Sequence, residues 1–213
     1  MEITWYGHDC FRLAERATLT IVTDPYDASV GLEPPKLRAD VVTISRQDAA
    51  HSNLSAVIGA QRGDVRTISG PGEYEIGGVF ITGISMRPEK KAAGAQRCTV
   101  YAFHFDGLNV AHLGGLSFVP SQAQIDALET VDVLLVPIGG DSELSPTQAS
   151  DVISMIEPGI VIPMGYGGKG SKEALARFLK EMGVAAPKTV ESLKITKSQV
   201  PEETQVVLLE MKR

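Results

Sequence analysis

Arginine, aspartate and histidine share one short polar stretch, Arg46-Gln47-Asp48-Ala49-Ala50-His51, directly after the apolar run ADVVTI. Loops that follow buried strands often carry metal ligands and catalytic groups. Asp48 and His51 could each donate to an ion, but Arg46 is permanently cationic and cannot coordinate one. A second candidate is GYGGKGS, where Gly165, Gly167 and Gly170 spell Gly-x-Gly-x-x-Gly ahead of a helical pattern. Too little chain follows to complete a dinucleotide-binding unit. A glycine-rich turn at a helix N-terminus, with Lys169 and the Ser171 hydroxyl, can instead bind an anion. Glu73 and Glu75 in GEYEIGG would share one strand face as paired carboxylates, yet no nucleophile stands near them in sequence. No Gly-x-Ser-x-Gly or Ser/His/Asp spacing suggests a serine hydrolase.

Elements to position these groups can be read from periodicity. EITWY, CFRLA, TLTIVT, ADVVTI and VRTIS are short strand-like runs. GGVFITGI, RCTVYAFHF and LNVAHL follow, the last two joined at Asp106-Gly107, a strong hairpin signal. SNLSAVIGAQRG predicts a short helix with Leu54, Val57 and Ile58 on one face. SQAQIDALE begins at a Ser121 cap, and Ser145-Pro146-Thr147-Gln148 combines a capping box with proline at the first helical position. SKEALARFLKEMG places Leu175, Phe178, Leu179 and Met182 at helical spacing, with Gly183 as its stop. VDVLLVP and GIVIPM are apolar strands, and KTVESLKIT and TQVVLLEM close the chain as two more. MRPEKKAAGAQR reads as a solvated surface loop. Strands first, then strand–helix alternation, then strands, predict two packed sheets with helices outside, as a single domain over 1–213.

Composition excludes several classes. The 213 residues are 43% hydrophobic and 22% charged, which suits a globular protein with a sizeable core. A net charge of -6 with scattered basic residues argues against nucleic acid as a partner. No apolar run approaches the roughly 20 residues of a membrane span. MEITWYGHD lacks the basic start and apolar stretch of a signal peptide, so a cytoplasmic protein is expected. Cys10 and Cys98, without CxxC spacing, read as reduced core thiols.

Five motifs, in order from residue 4 to residue 166, give the chain a family likeness. TWYGHDCFRL resembles the Trp-x-Gly-His-Ser-Cys-Phe opening of the metallo-β-lactamase-fold, Zn-dependent hydrolases of the ascorbate-phosphate lactonase-like branch. VTDPY resembles their strand ending in Asp-Pro, and GPGEYEIGGVFITGI a segment of one subgroup. HLGGL is similar to their His-x-Gly-Asp-Leu, and VDVLLVPIGG with GIVIPMGY to the strand pair ending in Pro-Met-His-Tyr. The resemblance implies an α+β fold, the four-layer αββα sandwich of the metallo-β-lactamase type.

It also implies a two-ion hydrolytic centre built on His-x-His-x-Asp-His, and here the departures begin. Laid over that run, residues 46–51 keep only His51. The bridging aspartate position is Gly115 and the late histidine position is Gly165. A unit charge about 4 Å from a dication, at an effective dielectric of about 20, is repelled by roughly 8 kcal/mol, so Arg46 opposes an ion rather than holding one. The expectation is a binding or assembly module whose two-ion site is largely lost, with no resident cofactor. The remnant candidates for one ion are Asp48 and His51, with His8 and Asp24. The alternative is a working lactone, ester or phosphoester hydrolase on a rebuilt single-ion site, with zinc as cofactor. Fixed positive charge replacing the metal would leave a small-anion pocket at Arg46, Gly165, Lys169 and Ser171. Relatives of this kind often form oligomers, so the resemblance allows a homo-oligomer, and nothing in the sequence fixes a subunit count. His8 is read as shaping the cleft, His104 as a strand-surface residue and His112 as structural.

Overall fold

The computed structural model describes residues 1–15, 18–60, 63–88, 96–139, 142–166 and 171–212, with backbone alone for 171 and 172. Strands β1 (Glu2–Trp5), β2 (Phe11–Ala14) and β3 (Thr20–Thr23) form an antiparallel meander. β4 (Leu37–Ala39), β5 (Val41–Thr43), β6 (Val57–Gly59) and β7 (Arg66–Ile68) follow. β8 (Gly72–Ile76), β9 (Val79–Met86), β10 (Cys98–Phe105) and β11 (Leu108–His112) make a second meander. Then α1 (Gln122–Asp126), β12 (Val133–Pro137), α2 (Pro146–Ile156), β13 (Ile160–Met164) and α3 (Ser171–Glu181) alternate. β14 (Lys188–Val190), β15 (Leu193–Lys194) and β16 (Gln205–Leu209) end the chain.

These strands assemble into two large sheets, β15-β1-β2-β3-β5-β7 and β14-β16-β13-β12-β11-β10-β9-β8, and a small pair, β4-β6. KTVESLKIT splits between them: β14 pairs with β16 in one sheet, while β15 crosses to pair with β1 in the other. Between the large sheets lie Ile3, Phe11, Leu13, Ile21 and Val41 from one face and Ile81, Phe103, Val110, Leu135 and Ile162 from the other. Alternation along each strand delivers these side chains to one face, and their burial is the main stabilising term of the sandwich.

On the far side of the eight-stranded sheet, Val100, Ala111, Leu134 and Val136 pack under Ile125, Val152, Ile153 and Phe178 of the three α-helices. The capping box at Ser145 and Pro146 starts α2 as expected, with Ser145 Oγ accepting from Gln148 N at 3.3 Å. The outer layer on the six-stranded sheet is different. Cys10, Val22, Val42 and Ile44 are covered by Tyr26, Leu37, Ala56 and Val57, from loops, the β4–β6 pair and a 3-10 turn. The helix expected over SNLSAVIGAQRG is thus a 3-10 turn at Leu54–Ala56 followed by β6. Asn53 ties the segment to the sheet below through Pro25 O and Tyr26 O, and β-branched Val57 and Ile58 then extend beside β4. Strand alternation buries Val57 and leaves Ile58 54% exposed, where a helix would have buried both. Gln61 and Arg62 of that expected helix, and 89–95 of the expected loop, lie outside the described residues. Cys10 and Cys98 are buried free thiols. No helix among the described residues is long and apolar enough to cross a membrane.

Candidate metal centre

The cleft is assembled from loops at the ends of strands from both sheets. The turn between β1 and β2 contributes His8 and Asp9. It is tight, with Tyr6 N donating to Cys10 O at 2.8 Å and Cys10 N to Gly7 O at 2.9 Å. Gly7 has φ +96, and a Cβ there would stand 2.8 Å from Met211 Sδ, so the turn needs glycine. His8 itself holds φ +45, an uncommon conformation for a side chain of this size. Its carbonyl is fixed by Trp5 Nε1 at 2.8 Å and Gly165 N at 3.2 Å, which fastens the turn to the end of β13.

Asp9 is fully buried. Its carbonyl oxygen accepts from Thr23 Oγ1 and His112 Nε2, both at 2.9 Å, so β3 and β11 aim its carboxylate. Asp9 Oδ2 is 3.1 Å from His51 Nε2, while Oδ1 faces His8 Nδ1 at 3.3 Å. Neither Asp9 Oδ1 nor His8 Nδ1 has an aligned hydrogen-bond partner. His51 reaches the cleft from the 46–51 loop, its other nitrogen held 2.5 Å from Asp48 Oδ1. Glu143 enters from the loop between β12 and α2, its side chain only 6% exposed and Oε1 3.7 Å from His8 Nε2. His8, Asp9, His51 and Glu143 each offer one ligand atom, all within 4.8 Å of one another.

Charge in this cluster is tightly coupled. Burial alone would lower the pKa of His51, but hydrogen bonds to Asp48 and Asp9 and the charge of Asp24 outweigh it and raise the pKa to about 10. Burial, reinforced by the Asp9 charge, pushes Glu143 up to about 8. Burial opposes ionisation of Asp9 too, but the neighbouring histidines hold its carboxyl well below the usual range. In the absence of an ion, His51 is an imidazolium between two carboxylates. His112 is driven the other way by burial and stays neutral.

Two glycines make room for this arrangement. A Cβ at Gly115 would stand 2.7 Å from Arg46 Nε and 2.9 Å from His51 Nε2. A Cβ at Gly165 would stand 2.2 Å from Glu143 Oε2. Arg46 is only 8% exposed; its Nη1 donates to Gly115 O and Ser142 O at 3.3 Å, and its Nε forms an ion pair with Asp48 Oδ2 at 3.1 Å.

Of the residues singled out in the sequence, His8 and His51 stand in the four-donor cluster. Asp48 stands behind His51 and orients it. Asp24 is not in the cluster: it lies beneath the loop, with φ +38, accepting from Ser45 N and Ser45 Oγ at 2.6 Å each. Lys169 lies outside the described residues, as does the side chain of Ser171. Glu73 and Glu75 are exposed on β8, in register with Thr82 and Phe80. His104 bonds Asn109 on the strand surface at 2.7 Å. Sequence reasoning missed Asp9 and Glu143. Asp9 had one signal, a carboxylate beside the cleft histidine; Glu143 had only an acidic residue in a loop after an apolar strand.

Two packed sheets with loop-borne histidines and carboxylates at their shared rim define a protein of the metallo-β-lactamase fold with a candidate metal site. Residues 2–165 match the β-lactamase superfamily domain. A UPF0173 protein of Pyrococcus abyssi is 32% identical over 204 residues, covering 86% of this chain and 93% of its own. A UPF0173 metal-dependent hydrolase of Methanoculleus marisnigri is 28% identical over 188 residues, covering 78% of this chain and 81% of its own. The crystal structure of a proposed Zn-dependent hydrolase of the metallo-β-lactamase superfamily from Thermotoga maritima superimposes with a TM-score of 0.77 at 34% identity, over 98% of this chain and 97% of that one. The chain belongs to the UPF0173 family of the metallo-β-lactamase superfamily.

Proposed function

We propose that this chain serves as a binding or assembly module on a hydrolase scaffold, without two-ion hydrolysis. The observation that carries the reading is the guanidinium of Arg46 packed against Gly115, its Nε 2.7 Å from the place a side chain at 115 would begin. In the pattern the sequence resembles, that side chain is the aspartate shared by two ions. The residues present do not fit a two-ion group. Ala50, Gly115 and Gly165 bring no donor; the Arg46 guanidinium fills the side-chain space at Gly115, and Glu143 fills that at Gly165. Two metal ions clamp both the attacking and the leaving oxygen in such hydrolases, and that arrangement needs both coordination spheres. Scaffold and chemistry are therefore separable here.

Of the positions expected to hold a small anion, Arg46 and Gly165 lie among the described residues, and Lys169 and the Ser171 side chain do not. The Arg46 guanidinium is already paired with Asp48, while the Glu143 carboxyl stands beside Gly165.

A second reading, a hydrolase working on one rebuilt ion, is favoured by the four-donor cluster. One screen separates the two. Esters, phosphodiesters and lactones, phosphorylated lactones among them, are offered with zinc, manganese or ferrous iron. The expected result is turnover no higher than that of Glu143→Gln. Turnover abolished by that substitution would overturn the binding-module reading.

A further inference from the structure

We propose that His8, Asp9, His51 and Glu143 form a site for a single divalent transition-metal ion, at a position set by the β1–β2 turn rather than by the 46–51 loop alone. The inference goes beyond the proposed function, because an ion can be held with or without turnover.

Two imidazoles and two carboxylates are a donor set of intermediate hardness, suited to zinc, manganese or ferrous iron. Calcium and magnesium prefer oxygen ligands throughout and would leave both imidazoles unused. Proximity of acidic groups alone would not suffice. The second observation is a pair of buried atoms that face each other at 3.3 Å as an ion pair without forming an aligned hydrogen bond, Asp9 Oδ1 and His8 Nδ1, of which the aspartate is wholly buried. Buried polar atoms are seldom left without a hydrogen bond, so two such atoms facing one point suggest a ligand that would take both.

The surroundings are those of a built site. Asp48 holds the far nitrogen of His51, the carboxylate–histidine support that fixes a ligating imidazole. Thr23 and His112 hold the Asp9 backbone, and Gly139 N donates to Glu143 Oε2 at 3.3 Å. His8 keeps its strained backbone because the Trp5 and Gly165 hydrogen bonds enforce it. Three separate loops thus converge on one point, and the positively charged Arg46 stands off to the side, over Gly115.

The test is a titration of the full chain, stripped with chelator, by zinc, manganese, magnesium and calcium, followed by calorimetry and by elemental analysis after dialysis. The expected result is one zinc per chain, saturable at micromolar concentration or below, with manganese weaker and magnesium and calcium unbound. Glu143→Gln, which keeps the shape of the side chain, and His8→Ala should each weaken zinc at least tenfold. Arg46→Ala should leave it bound. The absence of saturable zinc binding would overturn the proposal, as would binding unchanged in both Glu143→Gln and His8→Ala. Cobalt(II) loaded into the wild-type chain gives a readout that needs no variant: visible bands of a four-coordinate nitrogen/oxygen site support the inference, and the spectrum of hexaaqua cobalt overturns it. One bound zinc with turnover would sink the binding-module reading and leave the site standing.

Discussion

Arg46 and Gly115 are fitted to one another: the arginine Nη1 donates to the glycine carbonyl at 3.3 Å, and its Nε lies 2.7 Å from where a Cβ at 115 would be. Gly115→Asp should therefore displace the guanidinium from Asp48 and from its two carbonyl partners. Overpacking of this kind costs about 1–3 kcal/mol. Denaturant titration of Gly115→Asp, Arg46→Ala and the double variant should show the double more stable than the sum of the singles. Additive losses would mean the two positions do not share a space.

Gly165 should resist substitution for two separable reasons. Its φ of +75 is costly for a residue with a Cβ, by about 1–2 kcal/mol, and Glu143 Oε2 occupies the space. Gly165→Ala in a Glu143→Ala background should recover the second part and keep the first. Full recovery of stability by denaturant midpoint would contradict the backbone argument.

The metal-free chain should lose stability as pH rises from about 5 to about 10. His51, raised from 6.5 to about 10, contributes stability fully present below 6.5 and lost as pH passes through about 10. Glu143, raised from 4.5 to about 8, keeps a proton in the folded state that the unfolded chain releases above 4.5, so it too makes stability fall with rising pH. Asp9 and Asp48, held below the usual carboxylate range, act on the acid side, where their contribution is lost as pH drops below their unfolded value. Urea midpoints across pH should peak under mildly acidic conditions, and His51→Gln should flatten the alkaline limb. An alkaline limb unchanged in that variant would refute the imidazolium assignment.

Asp24 should matter for holding the loop rather than for binding an ion. Asp24→Asn keeps the size but replaces an acceptor of two 2.6 Å hydrogen bonds from Ser45 with an amide. Leaving one such buried donor unsatisfied costs about 1–3 kcal/mol. Thermal unfolding should show that loss, while zinc stoichiometry stays at one. Loss of the ion with full stability would place Asp24 among the ligands instead.

How much of this was legible depended on how local the signal was. α2 was readable because Ser145, Pro146 and Gln148 encode their own capping geometry within four residues. The β10–β11 hairpin was readable at Asp106-Gly107, both at positive φ. The segment after Asn53 was misread because the spacing of Leu54, Val57 and Ile58 fits a helix, whereas pairing of Leu37 with Val57 is a long-range event. KTVESLKIT gave one strand pattern, and nothing local says that its halves join different sheets.

The site divides in the same way. His51 could be found because it ends a motif. Asp9 and Glu143 are 134 positions apart in a 213-residue chain and meet only when the β1–β2 turn docks on the end of β13. The empty positions at Gly115 and Gly165 could be read as losses, but the side chains that fill them could not be assigned without the fold.

The most direct measurement is the anomalous scattering of a crystal grown with excess zinc. The account predicts a single peak among His8, Asp9, His51 and Glu143, with Arg46 still lying over Gly115. Two peaks in the cleft, with Arg46 swung out to solvent, would contradict it.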